Sequence, residues 1–363
     1  MLRIIFITNS IGFGGAEKML TFVANSLSER GHICAIVNLG AVPEYVNVYK
    51  QNIDERIDVF NVKDKVQQKK RKAEIKAVAQ YAKEFHANVL IGFTNFPNMY
   101  ATIVGKMLKI PSIMSERGDP AITLPNTFKD RILKLIIDSA SGGVFQTNGA
   151  KAYYGKRLQK RGNVIPNPIF IKGTVPNVPY EEHEKTVVSV GRLDNKQKRL
   201  DVMLQAFSVF SKKHPEYTLK IYGSGNDENM VRQWCADLNI QDQVKFMGVT
   251  RTPMQDISDA GMFLITSDYE GISNSLLEAM AVGLPCVSTD HTPGGARLLI
   301  TDHENGLLAP MGDVDALAGA MCEFADNPEL AKKCGNNARD VVNRFEPSRI
   351  INLWEDYIEK LCR

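Results

Sequence analysis

Short runs of consecutive apolar, largely β-branched residues recur along the chain, each followed by a longer stretch whose apolar positions return every three to four residues. In the first half the continuous runs predict strands over residues 3–8, 35–38, 89–93, 112–115 and 143–147. The periodic stretches predict helices over 16–30, 73–85, 99–109 and 131–139. Strands that are apolar throughout are buried on both faces, so this alternation predicts βαβ units and a parallel sheet covered on both sides. The rhythm restarts after residue 185, with strands over 187–190, 219–222, 244–247, 261–266, 285–289 and 306–309. Helices are predicted there over 200–214, 229–238, 275–282 and 316–324. Between the halves, Pro166, Asn167 and Pro168 lead into a poorly periodic stretch with Pro176 and Pro179, which reads as an interdomain linker. The expected organisation is a first Rossmann-like domain over 1–168, a linker over 169–184, a second Rossmann-like domain over 185–346 and a terminal helix over 347–363. That helix can pack on either domain, including back on the first. Two doubly wound sheets leave a cleft between the carboxyl ends of two sets of strands, where open α/β sheets place ligands.

Composition narrows the class. A chain of 363 residues exceeds what one hydrophobic core usually covers, and 44% hydrophobic with 23% charged residues excludes a disordered or fibrous protein. The apolar run Ile4–Ile7 is broken at once by Thr8, Asn9 and Ser10, too soon for a signal peptide or a membrane span. The six cysteines, Cys34, Cys235, Cys286, Cys322, Cys334 and Cys362, form no CxxC and no tight Cys/His cluster, so they read as free thiols of a reducing cytoplasm, with no metal site expected. The net charge of +3 hides an asymmetry: residues 1–168 carry 24 Lys+Arg against 13 Asp+Glu, residues 169–363 carry 20 against 28. A basic first half suggests an anionic partner such as nucleic acid, phospholipid or pyrophosphate.

Three loops carry candidate chemistry. The first βα turn, Asn9-Ser10-Ile11-Gly12-Phe13-Gly14-Gly15-Ala16-Glu17, places glycines where backbone can approach a ligand and helix N–H groups point at it. A dinucleotide-binding turn is the alternative. Its third glycine position falls on Glu17, and the second strand ends in Asn38-Leu39-Gly40 without the acid that would hold a ribose. A tight turn with no ligand is the plain alternative. The second loop, residues 191–201, gathers Arg192, Lys196, Lys198 and Arg199 between a strand and a helix. It is either a solvated loop or a pyrophosphate clamp, with Arg192 best placed at the strand end. In the third, residues 263–286, a strand gives way to a Gly-Ile-Ser-Asn loop and a helix starting near Ser275, with Glu270 in the loop and Glu278 in the helix's first turn. Unpaired amides from Asn274 to Leu276 would seat a diphosphate, and Glu278 could accept from sugar hydroxyls or merely complement the helix dipole.

Glu270-x7-Glu278 within EGISNSLLEAMAVGLPCV resembles the signature of retaining glycosyltransferases of family 4, which have the GT-B fold. IGFGGAEKML, NVIPNP, VGRLDNKQKRLDVML, IYGSG, VKFMGV and PGGARLLITDHENGLLAP continue the resemblance in the family's order across roughly residues 1–345. The resemblance implies an α/β GT-B fold and transfer of a hexose or N-acetylhexosamine from a nucleotide sugar, commonly a UDP-sugar, with no cofactor or metal. By position it implies that Arg192 and Lys198 bind the donor diphosphate, that Glu278 holds the ribose and that Glu270 faces the transferred sugar. The backbone of Gly271, Ile272, Ser273, Asn274, Ser275 and Leu276 would cradle sugar and phosphate. Tyr222, Gly223, Gly248 and Val249 would line the base pocket, while Gly14 and Gly15 would approach the donor phosphate and leave room for the acceptor. Two departures stand out. The phosphate loop is one residue longer than the common pattern, which favours Lys198 over Lys196, and the histidine many members carry at an N-domain strand end is replaced here by Glu116 or Arg117.

The acceptor side rests on residues 63–76, which hold seven basic residues, Lys69, Lys70 and Lys72 among them, against two acidic ones. A solvated helix face is one reading. The other is contact with anionic headgroups or with the pyrophosphate of a polyprenyl-linked glycan, on the inner face of a plasma membrane. Family resemblance then implies envelope oligosaccharide or polysaccharide assembly. The rivals are a UDP-sugar 2-epimerase of the same architecture, a catalytically dead sugar-nucleotide binder, and a nucleic-acid-binding protein. The last is not expected, since no aromatic-interleaved basic motif supports it.

Overall fold

The structure, a computed structural model, describes residues 1–12, 15–40, 52–66, 71–171 and 173–363. It divides into two compact units, Met1–Asn167 together with Ser348–Arg363, and Pro168–Pro347.

In the first unit the described strands β1 (Arg3–Thr8), β2 (Ile33–Asn38), β3 (Asp58–Asn61), β4 (Val89–Phe93), β5 (Ser112–Glu116), β6 (Gly142–Phe145) and β7 (Gly162–Val164) form one parallel sheet. Their order is β3-β2-β1-β4-β5-β6-β7. The chain winds outward from β1 in both directions, so β1 and β4 mark the switch point where loops diverge. Alternate side chains of β1 divide the core. Ile4 and Phe6 face the helix Gly15–Glu29, while Ile5 and Ile7 face helices Arg71–Glu84, Asn95–Leu108 and Phe128–Asp138. The terminal helix Pro347–Cys362 inserts Ile350, Ile351, Trp354, Tyr357 and Ile358 into the same cluster as Ile4 and Phe6. Trp354 stacks on Phe93 with ring centroids 5.8 Å apart. The Tyr357 hydroxyl accepts the Gly143 amide at 2.8 Å, and a Cβ on Gly142 would lie 2.3 Å from that hydroxyl. Strand β6 thus needs a glycine there to admit the helix.

In the second unit β8 (Thr186–Val190), β9 (Thr218–Tyr222), β10 (Val244–Gly248), β11 (Met262–Ile265), β12 (Cys286–Thr289) and β13 (Leu307–Ala309) form another parallel sheet, ordered β10-β9-β8-β11-β12-β13. Helices Leu200–Lys213 and Val314–Asp326 cover one face and Asn274–Ala281 the other. Residues 168–184, whose prolines read as linker, fall within this unit. Ile169 is buried in its core and its amide donates to Phe345 O at 2.8 Å.

Strands β3 and β7 lie outside the elements predicted from the sequence. Both are sheet edges with few buried positions, so neither shows a continuous apolar run. The strand expected over 143–147 ends at Phe145, because Thr147 caps the following helix by accepting the Ala150 amide at 3.0 Å.

Candidate functional site

The loops leaving β8, β9, β10, β11 and β12 at their carboxyl ends are knitted by backbone. Gly191 N donates to Tyr222 O at 2.9 Å and Gly223 N to Gly248 O at 2.7 Å. Gly223 has φ +139°, and a Cβ there would stand 1.8 Å from Gly191 O, so only glycine lets the two loops meet. Asp268 N donates to Gln197 O at 3.0 Å, and the Gln197 amide donates to Tyr269 O at 3.1 Å. Thr266 donates its hydroxyl to Lys198 O at 2.8 Å. These bonds hold the short helix Asn195–Lys198 against the loop that carries Glu270.

That docking turns Lys198 inward. Its stem runs over Gly191, where a Cβ would lie 3.1 Å from Lys198 Cε, and its ammonium donates to Glu270 Oε1. Ser267 donates its hydroxyl to the same oxygen at 3.1 Å. The two charged side chains are 15% and 13% exposed, so the pair sits in a partly water-excluded recess while remaining reachable. Arg192 is exposed at the end of β8 and donates to Gln197 Oε1 at 3.0 Å, and Lys196 points to solvent. Arg199 is committed elsewhere, since its guanidinium bridges Asp201 at 3.0 Å and Asp268 at 3.1 Å, both of which hold it above the ordinary guanidinium range. Of the four basic residues in this loop, Lys198 is the one paired with Glu270 in the recess, Arg192 stands exposed beside Gln197, and Arg199 is committed to Asp201 and Asp268.

The helix Asn274–Ala281 starts within this region. Ser273 caps it by accepting the Leu276 amide at 3.4 Å, which leaves the Asn274 and Ser275 amides without an intrahelical acceptor. Glu278 is half-buried on the helix's second turn, not its first, so the dipole explanation weakens. Gly271 and Ile272 form the approach to this helix. A Cβ on Gly295 would strike Gly271 O at 1.7 Å, and Ile272 is buried beneath it in the core. The Tyr222 ring is 7% exposed and its hydroxyl donates to Asp256 O at 3.0 Å. That ring belongs to the core, so the loop surface here is made by Gly223, Gly248 and the exposed Val249 instead.

Sequence reasoning passed over His291. It is 1% exposed between β12 and Gly295, its Nε2 has no hydrogen-bond partner, and a Cβ on Gly295 would approach its Cε1 to 3.0 Å. Burial pushes its imidazole below the ordinary 6.5, opposed by the charge of Glu270. The only sequence signal was a histidine at a strand end ahead of a Gly-Gly turn.

In the first unit the β1 loop is closed by Ser10 donating to Glu17 Oε1 at 2.8 Å, which gives Glu17 a structural role. Gly15 opens the helix with free space where a Cβ would point. Gly14, Lys69 and Lys70 lie outside the described residues, and Lys72 is exposed. Glu116 ends β5 fully buried, accepting from the Arg117 and Gly118 amides at 3.0 and 3.1 Å and from the Tyr154 hydroxyl at 2.6 Å. Burial nevertheless raises its carboxyl, and burial brings the Arg117 guanidinium down to about 9. Arg117 donates to Ser115 Oγ at 2.8 Å and Asn167 Oδ1 at 3.2 Å and lies 5.3 Å from the Trp354 ring centroid. Among the described residues, His32, Glu355 and Glu359 bring donor atoms within 4.8 Å of one another, but Glu355 already takes Arg30 and His32, and Glu359 takes Arg363. That cluster is an ion-pair network.

Residues 175–341 match the family described as Glycosyl transferases group 1. The chain is 25% identical to an uncharacterized glycosyltransferase of Haemophilus influenzae, over 96% of this chain and 98% of that protein. It is 26% identical, over 98% and 97%, to the GalNAc-alpha-(1->4)-GalNAc-alpha-(1->3)-diNAcBac-PP-undecaprenol alpha-1,4-N-acetyl-D-galactosaminyltransferase of Campylobacter jejuni. Among solved structures its fold is similar to the lipopolysaccharide outer core galactosyltransferase WaaB, with TM-score 0.80, 21% identity and 99% of both chains covered. It is also similar to Anabaena HepE in complex with UDP and glucose, with TM-score 0.81, 18% identity and 99% and 100% covered.

Proposed function

We propose, on the premise that this chain is a glycosyltransferase of the GT-B fold with a group 1 domain over residues 175–341, that it moves a hexose or N-acetylhexosamine from a UDP-sugar to a lipid-pyrophosphate-linked glycan. The observation that carries this is the half-buried Lys198–Glu270 pair, with Glu270 four residues ahead of the helix start whose Asn274 and Ser275 amides have no intrahelical acceptor. A sugar bound through a diphosphate offers that recess two features at once. Its anionic oxygens suit Arg192, Lys198 and the helix amides, and its hydroxyls suit Glu270. Positive charge at the departing diphosphate lowers the barrier to breaking the anomeric C–O bond. In the family 4, retaining scheme the acceptor hydroxyl attacks from the leaving-group face and its proton passes to a diphosphate oxygen. That route asks for no protein base and no metal. Glu278 would hold the ribose, and the Gly223–Val249 rim would meet the base. On the acceptor side, Gly14, Gly15, Glu116 and Arg117 would border the incoming glycan.

The C. jejuni relative acts on an undecaprenyl-pyrophosphate glycan, and HepE is seen with UDP, which supports this choice of donor and acceptor over the epimerase alternative. No described helix is long and apolar enough to cross a membrane. In this reading a lipid-linked acceptor would be met at the bilayer surface, on the cytoplasmic face. Segment 63–76, with Lys69, Lys70 and Lys72, would contribute to that contact. A thermal-shift screen of UDP-, GDP- and ADP-sugars tests the donor. One at 100-fold its Kd should stabilise by ~2.7 kcal/mol, and Arg192→Ala should abolish the shift. No shift with any of the three would sink the donor reading.

A further inference from the structure

We propose that the helical layer on one side of the first unit's sheet is a docking face for an anionic lipid bilayer. The inference deepens the acceptor reading above, and its functional meaning rests on it. Helices Arg71–Glu84, Asn95–Leu108 and Phe128–Asp138 cover the sheet face that bears Ile5, Ile7, Leu90 and Met114, with Val78, Val104, Leu133 and Ile137 buried on their inner sides. The outer side of the last helix is nonetheless apolar. Phe128 is 78% exposed, Ile132 46% and Leu135 69%, four and then three residues apart and so on one stripe. Met107, 53% exposed, stands on the adjacent helix and shares with Ile132 and Leu135 a shallow groove floored by Ile103 and Ile136. A surface helix normally keeps one apolar face, turned to the core. A second one, grouped with an apolar neighbour, marks an interaction site.

The charges around the stripe identify its occupant. Lys106 and Lys109 flank Met107, and Lys129 and Arg131 flank the stripe itself; all four are exposed. The nearby acids are spent. Asp130 closes a capping box with Thr127, Asp138 pairs with Lys134 at 2.8 Å, and Glu74 is buried with Lys63 and Tyr100. Glu84, the exposed acid of the first helix, lies across the middle helix from the stripe and accepts from the Gln80 side-chain amide at 2.6 Å. Apolar side chains ringed by uncompensated cations complement a surface that is anionic outside and apolar within. A second copy fits poorly, since a two-fold contact sets each cation against the same cations of its mate.

The test floats the full chain with phosphatidylcholine vesicles and with vesicles that also contain phosphatidylglycerol. The wild type should rise with the phosphatidylglycerol vesicles alone and be released by salt. Ile132→Ser with Leu135→Ser, and separately Lys129→Glu with Arg131→Glu, should each weaken binding roughly tenfold while keeping the UDP-sugar thermal shift. Failure of the wild type to float, or wild-type binding by both variants, overturns the docking face. So does a concentration-dependent dimer that Leu135→Ser abolishes, which would give the stripe to a second copy. Vesicle binding with no UDP-sugar shift in the wild type would sink the donor reading and leave the docking face standing.

Discussion

The Lys198 ammonium and the Glu270 carboxylate close on each other across two loops, 72 residues apart in sequence, and Ser267 adds a second bond to the same oxygen. Each charge is the other's main compensation in a recess where water is scarce. An anionic ligand arriving there competes with Glu270 for Lys198, so binding exchanges one ion pair for another at little electrostatic cost.

Removing one member of that pair leaves the other poorly solvated. Lys198→Met and Glu270→Gln should each cost about 1–3 kcal/mol of stability, and the double variant should cost less than the sum of the two. Their effects on chemistry should part company. Lys198→Met should weaken UDP-sugar binding, whereas Glu270→Gln should bind nucleotide and lose transfer by ~100-fold or more. Urea denaturation and donor titration of the three variants check this, and additive stability losses would show that the pair is not coupled.

Gly223 is the joint at which the β8 and β9 loops touch. Gly223→Ala places a methyl 1.8 Å from Gly191 O at φ +139°, where both crowding and backbone strain oppose it. A loss of ~3 kcal/mol or more is expected, together with weakened donor binding, because the same shift moves Gly191 from under Lys198. Gly15→Ala, with open space at its Cβ, should fold with near wild-type stability. Circular-dichroism melts of the two variants separate a glycine demanded by packing from one that is not.

The contrast between these glycines shows what the sequence could disclose. Strands such as β1 and β4 are buried on both faces, so their apolar runs announced them, and their alternation with helices carried the α/β fold. Edge strands β3 and β7 pack on one side only and left no such run. In the site, Glu270 and Arg192 sat in recognisable loops. The extra residue of the phosphate loop favoured Lys198 over Lys196, and the short helix 195–198, which turns Lys198 inward and Lys196 to water, is the physical cause that the sequence did not display. His291 stayed hidden, since only the folded chain brings β12 beside the Glu270 loop. The burial of Tyr222 was equally illegible, because a tyrosine at a strand end is as readily core as rim, and here its hydroxyl reaches Asp256 O.

His291 also makes stability depend on pH. Its imidazole titrates below 6.5 when folded, so in the window just under 6.5 the unfolded chain binds more protons than the folded one. Stability then rises with pH through that window and falls on acidification. His183, lowered by burial as well, acts with the same sign. His291→Asn should therefore flatten, without abolishing, the loss of stability as the pH falls below the ordinary 6.5. Denaturation free energies at several pH values for both proteins test it, and parallel profiles would mean that His291 is not protonated on unfolding.

The terminal helix supplies a last prediction, because its contribution to the first unit can be weighed. Trp354 is fully buried, stacks on Phe93 at 5.8 Å and lies beneath the Arg117 guanidinium at 5.3 Å. Trp354→Ala removes that ring from a packed interior and should cost ~3–5 kcal/mol. Its indole N–H makes no hydrogen bond, so Trp354→Phe forfeits packing but no polar partner and should cost clearly less. Arg117 loses the underside of its pocket in the alanine variant, and a guanidinium already brought down to about 9 by burial gains water there. If Arg117 takes part in holding the acceptor, KM for acceptor should rise in Trp354→Ala while KM for donor holds. Measuring both constants at a temperature where the variant stays folded distinguishes this from general destabilisation, which would move neither selectively.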